Sequence, residues 1–117
     1  MKYLKLCLLF LIIVAAACKK PKVEIPPEVI PPDSMVQVLT DIHIAEAAIG
    51  QKSSTGDNGD LFAASYFKFV FDKYKITELQ YRNSTKFYAA HPDLYENIYS
   101  IVISEISKRQ ADALQKK

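Results

Sequence analysis

Asp41, His43 and Glu46 are the side chains best placed for chemistry in this chain of 117 residues. On a helix, His43-x-x-Glu46 sets an imidazole and a carboxylate on adjacent turns, the spacing used by helical metal sites. With about 100° of rotation per residue, Glu46 falls between Met35 and Leu39, inside the apolar face. Asp41 and His43 then lie on its two flanks. A bare carboxylate buried among apolar side chains costs several kcal/mol, so Glu46 must be paired, hydrogen-bonded or protonated. The expectation is a buried polar tie in which Glu46 accepts from a Tyr hydroxyl or a Lys on a neighbouring helix. Two alternatives are a small-ligand or metal site centred on Glu46 and His43, and a hydrolase that uses Asp41 or Glu46. The only further imidazole is His91, which precedes Pro92 as a helix N-cap or exposed loop residue. A metal needs more ligands than these, and neither a metal nor another cofactor is expected.

Tyr81, Tyr88, Tyr95 and Tyr99 recur at intervals of seven, seven and four. They form either an aromatic groove for a peptide or glycan, or a core seam whose hydroxyls reach the rim. Catalytic signatures are missing: the sequence has no Gly-rich phosphate loop, HExxH or G-x-S-x-G elbow. Asp41 and Glu46 are five residues apart and point away from each other, unlike a hydrolase carboxylate pair. No enzyme is expected. Asn83-Ser84-Thr85 matches a glycosylation sequon by chance.

The elements that position these residues are helices. Asp33 or Ser34 can cap the first, and Ser34 to Gln37 has capping-box spacing. Met35, Val38, Leu39, Ile42 and Ile49 follow on one face as far as Gly50. Residues 50–60 hold all three glycines and read as a polar loop. Asp57-Asn58-Gly59-Asp60 lacks the alternating ligands and closing glutamate of a calcium loop, and reads as a turn with a helix cap. A second helix is predicted over 61–74. Its aromatics cover most of its circumference, which suits a central position or an extra face for a partner. Thr77 to Gln80 is another capping box, Ile76 and Tyr81 have staple spacing, and a third helix should run to about Ala90. Pro92 suits the first turn of a fourth, whose apolar line is Leu94, Tyr95, Ile98, Tyr99, Val102 and Ile106. The fold class is all-α, a small antiparallel bundle of about four helices.

Before the helices come two segments of different character. Lys2 and Lys5 precede an apolar run that ends in Ala15-Ala16-Ala17-Cys18, the parts of a secretory leader. The run is shorter than the roughly 20 residues a helix needs to span a bilayer. Cysteine after the alanines resembles the lipobox of bacterial lipoproteins, although Ala15 stands where leucine is commoner. An ordinary secretory leader would also cut after Ala17. The domain plan is therefore a leader over 1–17, a lipidated Cys18 with a Pro-rich tether over 18–32, and a helical domain over 33–117. Five of the six prolines fall in the tether, which should act as a semi-rigid spacer of roughly 40 Å.

Losing the leader removes Lys2, Lys5 and Cys7. The remaining chain has as many basic as acidic residues and no spare thiol for a disulfide. A neutral surface of mixed sign gives no electrostatic reason to expect nucleic acid. Aside from Tyr3 and Phe10, every aromatic lies after residue 61. Lys19, Lys20 and Lys22 follow the cysteine where surface-displayed lipoproteins of the Bacteroidetes type often carry acidic residues. A periplasm-facing anchor, in the outer membrane, is the expectation.

From Asp33 onward the chain resembles a family of small Bacteroidetes-type lipoproteins with a helical domain of unknown function, DUF4296-like. Met35 with Leu39 to Ala47, Tyr74 to Tyr81, Ser84 with Phe87-Tyr88, and Leu94 to Val102 carry the resemblance. It implies location and fold, with no established activity. The expected role is a non-catalytic module that binds an envelope protein while the lipid holds the membrane. Replacing Cys18 by serine should yield soluble or unprocessed material; a variant that fractionates with membranes like the parent would end the anchor idea.

Overall fold

Where the prolines stop repeating, the chain becomes helical at once. In the computed structural model, which describes residues 1–5, 21–53 and 59–117, Pro32 opens the first long helix, α1 (Pro32–Ser53). Proline suits this position because its missing N–H would have no helical partner. The Met35 N–H donates to the Pro31 carbonyl at 2.8 Å, so the helix starts one to two residues before the Asp33/Ser34 cap expected from sequence. Its end also differs. Gly50 lies inside α1 with open space around it, so the glycine does not terminate the helix. The leader's apolar run, Cys18 and loop residues 54–58 lie outside the described residues, and the lipidation and calcium readings lie there with them.

The other helices are α2 (Gly59–Tyr74), α3 (Glu78–Ala89) and α4 (Pro92–Gln115). The Thr77 side chain accepts from the Gln80 N–H at 3.0 Å, as its capping spacing predicts. Pro92 occupies the first turn of α4 behind His91. At the end of α2, Ile76 N–H donates to Phe71 O and Lys75 N–H to Asp72 O, the two bonds of a Schellman motif. Lys75 holds the left-handed position at φ 53°, where glycine is usual, at a local cost of about 1 kcal/mol. The helix ends at Tyr74, the end expected from sequence, and begins two residues before the expected start at 61.

Among the described residues the fold is all-α, as expected, and α1 is its centre. The helix packs against α2 on one side and α4 on another, while α3 packs against α4. Met35, Val36 and Leu39 face a core shared with Tyr88, Ile98 and Val102. Val38 and Ile42 face Val70, with Phe67, Phe71 and Tyr74 around them. Gln37 and Asp41 meet Arg109, whereas His43 meets Tyr99, so α1 and α4 run antiparallel. The aromatic α2 is thus peripheral: Val70 is buried, but Phe69 is 63% exposed. Of the two expectations for α2, the central position does not hold, because α1 carries apolar groups on two faces and occupies it.

The Pro-rich segment is not all tether. Val29 and Ile30 are core residues, and Ile25 packs against them. A turn closed by Val29 N–H donating to the Pro26 carbonyl brings Ile30 against α3. There the Ile30 N–H donates to Ser84 Oγ at 2.9 Å, and its carbonyl accepts from the Tyr88 hydroxyl at 2.6 Å. Ser84 Oγ in turn donates to the Gln80 carbonyl. Both backbone groups of a buried non-helical residue are therefore satisfied by side chains of one helix, as burial requires. Removing one hydroxyl, in Tyr88→Phe, leaves the Ile30 carbonyl buried and unpaired. Urea unfolding should show a loss of about 1–3 kcal/mol, and a loss below the error of that measurement would mean the bond contributes nothing.

Candidate functional site

The polar tie expected on α1 exists, but its carboxylate is Asp41. Asp41 Oδ2 accepts from Lys73 Nζ and from the Tyr74 hydroxyl, each at 2.7 Å, and Oδ1 accepts from Arg109 Nη1 at 2.6 Å. Its side chain is only 11% exposed. Burial alone would raise the Asp41 pKa; the bonds from Lys73, Arg109 and Tyr74 outweigh it and hold the carboxyl below its ordinary 3.8. The same contacts raise Lys73 and Arg109, first through their bonds to Asp41, and keep both charged. Burial and then Asp41 push the Tyr74 phenol up, which keeps it a donor. Arg109 also donates to Gln37 Oε1 at 3.4 Å. Gln37 therefore serves the tertiary tie.

Glu46 is not buried. Its side chain is 52% exposed and accepts from His43 Nδ1 at 2.9 Å on its own helix. Helical rotation places it on the apolar face, but it lies three turns beyond Met35, at the rim of the core. His43 Nε2 lies 3.3 Å from the Tyr99 hydroxyl, and Tyr95 donates to the same hydroxyl at 3.3 Å. The result is a line of polar groups, Glu46–His43–Tyr99–Tyr95, joining α1 to α4. Tyr95 and Tyr99 meet edge to face, with ring centroids 4.7 Å apart. Burial first, then the neighbouring Tyr95 hydroxyl, pushes the Tyr99 phenol well above its ordinary range.

The four spaced tyrosines do not line one groove. Tyr88 is wholly buried, and its hydroxyl is committed to Ile30. Tyr81 turns toward α2, with its ring centroid 5.4 Å from that of Phe71. Only Tyr95 and Tyr99 act as a pair. His91 occupies the N-cap position of α4, but its side chain makes no cap: Nδ1 donates to the Phe87 carbonyl at 2.7 Å, and the ring stacks on Phe87. It takes no part with His43. Among the described residues, no three His, Cys, Asp or Glu side chains come together around a metal-sized space. Asp41 and Glu46, both on α1, have separate partners: Asp41 takes Lys73, Tyr74 and Arg109, and Glu46 takes His43. Sequence reasoning missed Lys73, Tyr74 and Arg109, which look like the exposed ends of α2 and α4. Arg109 stands three positions beyond Ile106, on the side of α4 that meets α1, and that spacing was the available signal.

A separate feature is a cleft of about 480 Å³ between α2 and α3. Phe67, Phe71 and Tyr81 line it together with Ala64, while Lys68, Glu78 and Arg82 add charge. The charges are locally matched: Lys68 bonds Asp72, and Arg82 bonds Glu78. The opening is therefore apolar inside and neutral at its edge. No described helix is long and apolar enough to cross a membrane.

The family model described as "Domain of unknown function (DUF4296)" matches residues 26–112. Neither a curated protein nor a solved structure matches the chain. The family match begins at Pro26, the residue whose carbonyl closes the turn before Ile30, and so includes the docked half of the Pro-rich segment.

The Asp41 tie carries a pH dependence of known sign. Its folded pKa lies below the unfolded value, so its contribution is complete above pH 3.8 and is lost as pH falls through the lower folded pKa. Asp41→Asn should lose roughly 1–3 kcal/mol at neutral pH, with partly exposed cations favouring the lower end. Urea titrations from neutral to acid should show a shallower acid limb for the variant; parallel limbs would show that Asp41 does not titrate with folding.

Proposed function

The chain belongs to the family defined by the domain of unknown function DUF4296, and from that membership we propose a non-catalytic binding module tethered to the bacterial envelope by lipid on Cys18. The outer membrane, periplasmic side, is the proposed address, on the strength of the leader and the lysines after Cys18. One observation carries the binding role: the cleft between α2 and α3, where aromatic side chains stay open in a domain that has already built its core around α1.

The occupant we propose is an apolar segment of another envelope protein, a single amphipathic helix or extended strand. The cavity suits a few side chains, and its neutral edge does not select a charged polymer. Docking of Val29 and Ile30 shortens the free spacer to the residues before Ile25, which would keep the cleft close to the anchor.

Ala64 is an exposed wall of the cleft, so Ala64→Glu places a charge in the opening while keeping a good helix former. Crosslinking in the native membrane and recovery through a C-terminal tag should give one partner in near-equal amount from the parent and none from Ala64→Glu. Equal recovery from both, with unchanged melting of the variant, would overturn the cleft as the binding surface.

A further inference from the structure

The helices that wall the cleft are chain neighbours that make little direct contact. Only Lys75, Ile76 and Thr77 join α2 to α3, yet α2 packs on α1 and α3 on α4. Short connections ordinarily give antiparallel partners packed along their length. Here the Phe71 and Tyr81 rings meet near the connection, 5.4 Å between centroids, and Ala64 and Phe67 are left lining open space. At about 480 Å³ the space admits side chains and not a whole helix, so an occupant lies across the opening.

Backbone chemistry selects the form of that occupant. Both walls are helices, whose N–H and C=O groups are spent internally, and no strand among the described residues offers an edge. An extended segment would bring its own unpaired peptide groups against Ala64, Phe67 and Phe71, burying polar groups without partners. An α-helix satisfies its backbone by itself and brings only side chains. The edge of the cleft then selects charge. Counted outward from the connection, each wall presents an acid and, one turn on, a base: Asp72 then Lys68 on α2, Glu78 then Arg82 on α3. The edge is neutral in sum, but acidic at its inner level and basic at its outer one. All four side chains are between 62% and 75% exposed, so their pairs hold weakly and exchange readily for charges on an incoming chain.

Building on the binding role proposed above, on which this rests, we propose that the cleft takes one amphipathic α-helix of another envelope protein. Its apolar side chains at i, i+3 or i+4 and i+7 enter the opening. On its flanks a base faces Asp72 and Glu78, and an acid one turn away faces Lys68 and Arg82.

A photoreactive phenylalanine analogue placed at Ala64, and separately at Phe67, of the full chain in its native membrane tests this. The partner residues captured should fall three or four apart, in a segment with an acid and a base one turn apart. Lys68→Glu/Arg82→Glu should cut capture by about tenfold or more while the chain stays folded, and Lys68→Arg/Arg82→Lys should keep it. Reversing the partner's acid to lysine should restore capture by the charge-reversed variant. Captured residues spaced by two, a second copy of this chain as the captured species, or full capture by the folded charge-reversed variant would overturn the helix and leave the cleft a binding surface. Lipid alone, or no crosslinked species, would overturn the binding role itself and this inference with it.

Discussion

One carboxylate fixes how the helices are set against each other. Apolar contacts drive α2 and α4 onto α1, but they are non-directional and tolerate rotation and sliding. Asp41 does not tolerate them: its two oxygens take three donors, two from the end of α2 and one from the far part of α4. Each bond requires a heavy-atom separation near 3 Å and a narrow range of angle. Satisfying all three admits essentially one register of α2 and one of α4 along α1. The rest of the arrangement, including which tyrosines reach His43 and how wide the cleft beside α2 stands, follows from that register.

The second constraint lies before the helices. Ile30 is in irregular chain yet 2% exposed, and such a residue can be buried only if its N–H and carbonyl find partners. Ser84 and Tyr88, one turn apart on α3, supply both. Residues that look like spacer by composition therefore close the end of the core.

The spaced tyrosines show how one periodic pattern can serve several ends. Tyr81 and Tyr88 share α3, whereas Tyr95 and Tyr99 belong to α4, with the Ala90–His91 break between the pairs. A seven-residue interval across a helix break no longer means a common face. Tyr88 consequently enters the core, Tyr81 meets Phe71 on α2, and Tyr95 and Tyr99 join the polar line to His43. The exposed Glu46 and the nearly buried Asp41 exchange the roles that helical rotation alone assigns them. Rotation gives the direction of a side chain about its axis; it does not give the level along that axis at which neighbouring helices stop covering it.

The sequence by itself determined the helical class, the Thr77 cap, the Pro92 start and most of the residues that form the core. These depend on interactions within a few positions along the chain, where spacing is a direct measure of distance. It also drew attention to His43 and Glu46 on α1, whose mutual bond is local. Only the tertiary structure decided that Asp41 is the tie, that Lys73, Tyr74 and Arg109 complete it, that α1 is central and that Ile30 belongs to the core. The reason is the same in each case: the partners are more than thirty residues apart, and nothing in the order of residues encodes how far along one helix another will lie.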